Sequence, residues 1–105
     1  MATDKEIKKF AAELKSLFGD KIDRIILYGS YSRDDEVPGS DIDIAVILTE
    51  LESGDRKKVQ EMTEKWFQDT DLRFSPRLFD KDDFERNVKE GYSFHKNVEK
   101  EGVEL

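Results

Sequence analysis

The sequence predicts an α/β or α+β domain in which helices flank a small mixed β-sheet. Three observations predict it. Two short apolar runs, Ile25-Ile26-Leu27-Tyr28 and Ile44-Ala45-Val46-Ile47-Leu48, have the length and β-branched content of buried strands. Around them lie stretches whose apolar residues recur at helical spacing. The two patterns follow one another as αβ(α)βαβαα, an order that layers helices on a sheet.

The first helix is expected from about Asp4 to Phe18, where Ile7, Phe10, Ala11, Leu14, Leu17 and Phe18 form the stripe. Thr3 with Glu6 fits a capping box, and Gly19 fits the stop. The first strand is about Ile22 to Tyr28, ended by Gly29-Ser30. Residues 31–36 read as a short helix and Pro38-Gly39 as a turn. The second strand covers about Asp41 to Leu48. Ser53-Gly54-Asp55 opens a helix to about Gln68, with Val59, Met62, Trp66 and Phe67 as its apolar stripe. Trp66 and Phe67 read as core rather than as a base-stacking platform. The third strand is about Asp71 to Phe79, with Leu72, Phe74 and Leu78 on one face and Asp71, Arg73, Ser75 and Arg77 on the other. Pro76 cannot donate to a ladder, so this strand lies at an edge or is interrupted. Asp80 fits the cap of a helix carrying Phe84 and Val88, which Gly91 breaks. A last short helix holds Phe94 and Val98 and stops at Gly102; His95, the only histidine, is expected to be exposed.

The 105 residues fit one domain, residues 1–105, with a single core and no room for a second substrate domain. Charged residues make up 41% of the chain and apolar ones 36%, but the apolar residues are clustered and periodic, which argues for folding. The net charge of −7 makes nucleic acid a poor partner, because phosphate contacts need clustered Lys and Arg. It suits metal ions or a basic protein instead. With no cysteine there is neither a disulfide framework nor a Cys-based zinc site. No apolar run approaches the roughly 18 residues of a membrane span, and no signal-peptide pattern opens the chain. A cytoplasmic protein is expected.

The chemistry gathers in one stretch. Gly29-Ser30 closes the first apolar run, ten residues follow, and Asp41-Ile42-Asp43 opens the second. In a strand, Asp41 and Asp43 point the same way with Cα atoms about 6.6 Å apart. Aspartate is depleted in strands, and like charges on one face repel, so the pair calls for a function such as gripping hard divalent cations. Gly29 permits a sharp turn, and the turn offers backbone N–H groups and the Ser30 hydroxyl to an anion. Metal ions beside a phosphate cradle point to phosphoryl or nucleotidyl transfer.

This Gly-Ser, ten-residue gap, Asp-x-Asp pattern resembles that of the minimal nucleotidyltransferases (MNT proteins) of the DNA polymerase β-like superfamily. Two positions depart from it: many members have Arg-Gly where this chain has Arg33-Asp34, and a residue other than glycine at position 39. The resemblance implies the polymerase β-like nucleotidyltransferase fold. It implies Mg²⁺, two ions held by Asp41 and Asp43, one activating the attacking oxygen and the other holding the triphosphate. A third carboxylate is usual on the next strand; Asp71 matches best, with Asp69 as competitor, although Asp71 also reads as the end of the preceding helix. Arg33, just past the cradle, could neutralise triphosphate charge, and Arg73 and Arg77 could do the same, though surface arginines ordinarily have no such task. The implied reaction moves a nucleoside monophosphate, AMP from ATP, to an acceptor hydroxyl and releases pyrophosphate. The implied partner is a HEPN protein, paired with its MNT protein as toxin and antitoxin. Two other readings stay open: a small-molecule nucleotidyltransferase completed by dimerisation, and a catalytically silent module whose acidic face masks a basic partner.

Overall fold

A computed structural model describes residues 2–33, 36 and 39–105. Asp34, Asp35 and Pro38 lie outside these, so the expected helix over 31–36 and the Pro38-Gly39 turn are described only in part.

Helix α1 spans Asp4–Phe18. Its capping box forms as read: the Thr3 side chain accepts from the Glu6 N–H at 3.3 Å, and the Thr3 N–H donates to Glu6 Oε1 at 3.0 Å. Strand β1 (Ile22–Tyr28) follows a short 3₁₀ turn, and a second 3₁₀ turn, Gly29–Arg33, leaves it. Strand β2 is Ile42–Leu48, helix α2 Asp55–Thr70 and strand β3 Phe74–Asp80. Helices α3 (Lys81–Lys89) and α4 (Ser93–Glu101) precede a two-residue strand β4, Val103–Glu104, which the sequence did not announce.

The expected small mixed sheet is present, in the order β3-β2-β1-β4. β1 pairs antiparallel with β2 and β4, while β2 and β3 run parallel across the α2 crossover. Strand alternation then sorts the core into two clusters. Ile42, Ile44, Val46 and Leu48 of β2 join Ile25 and Leu27 of β1 against Phe10 and Leu14 of α1 and Val59 and Trp66 of α2. The opposite face sets Ala45 and Ile47 with Ile26 against Phe84 of α3 and Val98 of α4. Phe10 stacks on Phe74 at 3.9 Å, and Trp66 meets Phe74 edge-on at 5.3 Å while its indole N–H donates to Glu13 at 2.9 Å.

β3 is an edge strand, one of the two arrangements that Pro76 allowed. The Ile42 N–H donates to the Arg73 carbonyl. Parallel ladders alternate, so residues 75, 77 and 79 bond β2 and the missing N–H of Pro76 falls on the outer side. Three readings are corrected. The third strand begins at Phe74, not Asp71, because α2 runs on to Thr70 and Asp71 turns left-handed as its C-cap, φ 64°. Phe67 is 43% exposed, lying under the Arg73 guanidinium at 5.7 Å instead of in the core. His95 is half-buried, its ring 5.3–5.6 Å from those of Phe79, Phe84 and Phe94.

One buried charge ties loop to helix. Asp55 accepts from Lys21 at 2.6 Å and from the Glu52 N–H at 2.8 Å. Burial raises the Asp55 pKa, but the Lys21 hydrogen bond, that from Glu52 and the Lys charges outweigh it and hold the carboxyl below its ordinary value.

Candidate active site

The β1–β2 ladder builds the site. Its register sets Tyr28 opposite Asp43, and the parallel ladder sets Asp43 beside Ser75. Tyr28, Asp43 and Ser75 therefore form one cross-strand row, on the face that carries Ala45 and Ile47. The next row is Ile26, Ala45 and Arg77.

Gly29 leaves β1 at φ 76° and brings its Cα directly against Asp43. A Cβ at that position would overlap the Asp43 Oδ2 and sit 3.2 Å from its Cγ. Glycine is needed here for both reasons: the left-handed backbone and the carboxylate alongside it. The 3₁₀ turn is closed by Ser32, whose hydroxyl donates to the Gly29 carbonyl at 2.8 Å, and anchored by buried Tyr31, whose hydroxyl accepts from the Ala2 N–H at 3.2 Å. Ser30 is half-buried in this turn, and Arg33 ends it exposed.

Charge gathers around Asp43. Burial raises its pKa first and the neighbouring Asp41 carboxylate raises it further, while Arg33 and Arg77 pull it back. Tyr28 is raised by burial and then by Asp43, with Arg77 opposing both as a charge and as a hydrogen-bond donor. Arg77 is itself placed by rings: its guanidinium lies 4.5 Å from the Phe94 centroid and 5.6 Å from that of Phe79, and Phe94 meets Tyr28 edge-on at 5.5 Å.

The structure thus brings Gly29, Asp43 and Arg77 around one short row, with Asp41 exposed two residues before Asp43 and Ser30 beside Gly29. It does not bring Asp71 there. Among the described residues no three His, Cys, Asp or Glu side chains gather as a metal site. Asp71 closes α2 by donating its N–H to the Phe67 carbonyl, and the register gives the place beside Asp43 to Ser75. Asp69 stays exposed on α2. Two carboxylates still fit Mg²⁺, which commonly takes one or two from the protein and fills its octahedron with phosphate oxygens and water.

The nucleotidyltransferase domain family matches residues 7–102. This chain belongs to that family. Two relatives come from Methanocaldococcus jannaschii. The nucleotidyltransferase domain described here is 31% identical over 100 residues to "Putative protein adenylyltransferase MJ0141", covering 94% of each chain. It is 47% identical over 47 residues to "Putative protein adenylyltransferase MJ0604", covering 45% of this chain and 47% of that one. Among solved structures it resembles a toxin-antitoxin crystallised with AMP-PNP, with TM-score 0.60 and 23% identity, covering 92% of this chain and 70% of the other. It also resembles a mutant of the toxin-antitoxin MntA-HpeT, with TM-score 0.53 and 25% identity, covering 93% and 69%.

Sequence reasoning missed Tyr28 in the row of Asp43. The signal was available: an antiparallel pair closed between Tyr28 and the Asp-x-Asp strand puts the last residue of β1 across from an aspartate. The approach of Gly29 to Asp43 follows from the same register.

Proposed function

We propose that this nucleotidyltransferase binds ATP with Mg²⁺ and transfers AMP to a hydroxyl of a partner protein, as the antitoxin of a HEPN-type pair. The observation that carries the reading is the ladder that sets the Gly29 turn against the Asp43 carboxylate, with the charge of Asp41, the residue just before β2, acting on Asp43. Support for ATP and a protein acceptor comes from relatives named as protein adenylyltransferases and a toxin-antitoxin neighbour crystallised with AMP-PNP.

In this reading the Gly29–Ser30 turn holds the triphosphate through backbone N–H groups and the Ser30 hydroxyl. Asp41 and Asp43 hold Mg²⁺, which when bound neutralises triphosphate charge and favours the deprotonated acceptor. Arg33 meets the remaining negative charge from the end of the turn. The acceptor oxygen forms a bond to the α-phosphorus, the bond from that phosphorus to the bridging oxygen breaks, and pyrophosphate leaves with the electron pair. The acceptor proton passes to solvent. The protein's own work is positioning and charge placement.

The test is intact-mass measurement of the protein purified with its native partner and incubated with ATP and Mg²⁺. The partner gains the mass of an AMP group, and the Asp41→Asn, Asp43→Asn double variant gives no gain and no metal-dependent nucleotide binding in calorimetry. A double variant that binds and transfers like the parent overturns the reading. Transfer to small molecules alone replaces the protein acceptor with a small one.

A further inference from the structure

Asp43 stands between two sides of one site. The Gly29–Ser30 turn lies on its β1 side, and Ser75 and Arg77 lie on its β3 side. On the β3 side the residues that share the Asp43 face are Arg73, Ser75, Arg77 and Phe79, none of them acidic. Arg73 lies over the exposed Phe67 ring, whereas Arg77 is held beside the Asp43 row. Its guanidinium rests on Phe94 at 4.5 Å, and that ring is wedged edge-on against Tyr28, the row neighbour of Asp43. Its charge reaches inward, acting on both Tyr28 and Asp43. Yet among the described residues no carboxylate lies within ion-pair distance of it. A planar cation that is held by rings, faces an acidic row and forms no ion pair is set to receive an anion.

We propose that Arg77 is a catalytic residue, which donates to the oxygens of the attacked α-phosphate from the side opposite the Gly29–Ser30 turn. The inference rests on the reading of this site as an ATP-binding one. Charge builds on those oxygens as the acceptor bond forms and the bond to pyrophosphate breaks. A donor already in position stabilises that charge without reorganising. Its place on the β3 side separates this task from holding the triphosphate, so its loss lowers rate more than affinity.

Two variants of the full chain test it. Arg77→Met keeps an unbranched apolar stem over Phe94 and removes the charge; Arg77→Lys keeps a charge without the planar fork. Affinity is read by calorimetry with Mg²⁺ and AMP-PNP. Turnover is read as pyrophosphate released from ATP with Mg²⁺, with water taking the place of the acceptor hydroxyl. Arg77→Met is expected to bind within about threefold of the parent and to release pyrophosphate about 100-fold more slowly, with Arg77→Lys in between. Asp43→Asn, by contrast, loses binding and turnover together. Parental turnover in Arg77→Met overturns the proposal, because Arg77 is then only a counter-charge for the aspartates. So does a loss of affinity as large as the loss of rate, which makes Arg77 a triphosphate ligand. A parent that neither binds Mg²⁺ with AMP-PNP nor releases pyrophosphate overturns the underlying ATP reading instead.

Discussion

Gly29 shows how closely backbone and chemistry are joined in this molecule. Its φ of 76° disfavours any L side chain, by about 1–2 kcal/mol. The carboxylate of Asp43 sits where the first side-chain atom would go. These two effects can be separated with a second glycine. Gly91 has φ 88° and, among the described residues, nothing beyond its chain neighbours within 4 Å of its would-be Cβ, so Gly91→Ala costs only the backbone term. Gly29→Ala is expected to destabilise more than Gly91→Ala in urea unfolding, and to weaken binding of Mg²⁺ with AMP-PNP, which Gly91→Ala leaves unchanged. Equal unfolding costs would mean that Asp43 moves aside freely.

At the level of elements, α4 carries a titration built from packing. His95 sits among Phe79, Phe84 and Phe94, with its Nε2 3.3 Å from the Asn87 amide nitrogen. Its Nδ1 is buried and, among the described residues, without a partner. Burial first and the Arg77 charge second hold its pKa below the ordinary value. A lowered pKa means that the fold prefers the neutral ring. This preference stabilises above the unfolded pKa of about 6.5 and is lost as pH falls through the folded value. Thermal unfolding measured from about pH 7 down to about pH 5 is therefore expected to show a larger drop for the parent than for His95→Gln. Parallel drops would mean that the ring stays neutral, or is wetted, in both states.

The same helix shows where sequence reading stops. Period and caps were enough for α1 and the Asp80 cap of α3, because those signals are local: a Thr3–Glu6 box, and a carboxylate accepting from the Asp82 and Asp83 N–H groups. The row of Asp43 was legible only at Asp43 itself; the strand expected from Asp41 begins at Ile42, which leaves Asp41 just before it. Its other members come from register between strands, which no single segment encodes. The burial of His95 depends on aromatic rings from three elements. The misplaced start of β3 has a local cause visible only in three dimensions: the Thr70 hydroxyl donates to the Trp66 carbonyl at 2.6 Å and accepts the Leu72 N–H at 3.2 Å, carrying helix and turn past Gln68. β4 was hidden for a different reason. Two residues have no period; the strand is held by backbone pairing to Ile26 and Leu27 and by the Arg24–Glu104 ion pair at 2.6 Å.

For the molecule as a whole, the sheet is the frame and the helices are its cover. Two helices close the face behind Ile42 and Ile44, and two pack against the face of Ala45 and Ile47. The chain carries a net charge of −7, and against it Arg33 and Arg77 moderate Asp43. Among the described residues no helix is long and apolar enough to cross a membrane.

The ladder between Tyr28 and Asp43 has a consequence for how this protein tolerates change in length. The ten residues between Ser30 and Asp41 look like a measured spacer in one dimension. In three dimensions hydrogen-bonded register is the ruler that sets Gly29 against Asp43. Lengthening a loop is cheap, because doubling it adds only about 0.6 kcal/mol of closure entropy. Two glycines inserted beside Gly39, where no atom of the described residues beyond its chain neighbours lies within 4 Å of a would-be Cβ, are expected to lower unfolding stability by less than that and to keep binding of Mg²⁺ with AMP-PNP. Calorimetry on the insertion variant reads the answer directly. Lost binding would mean that the residue count itself positions the site; retained binding would mean that related chains can vary this count without leaving the chemistry behind.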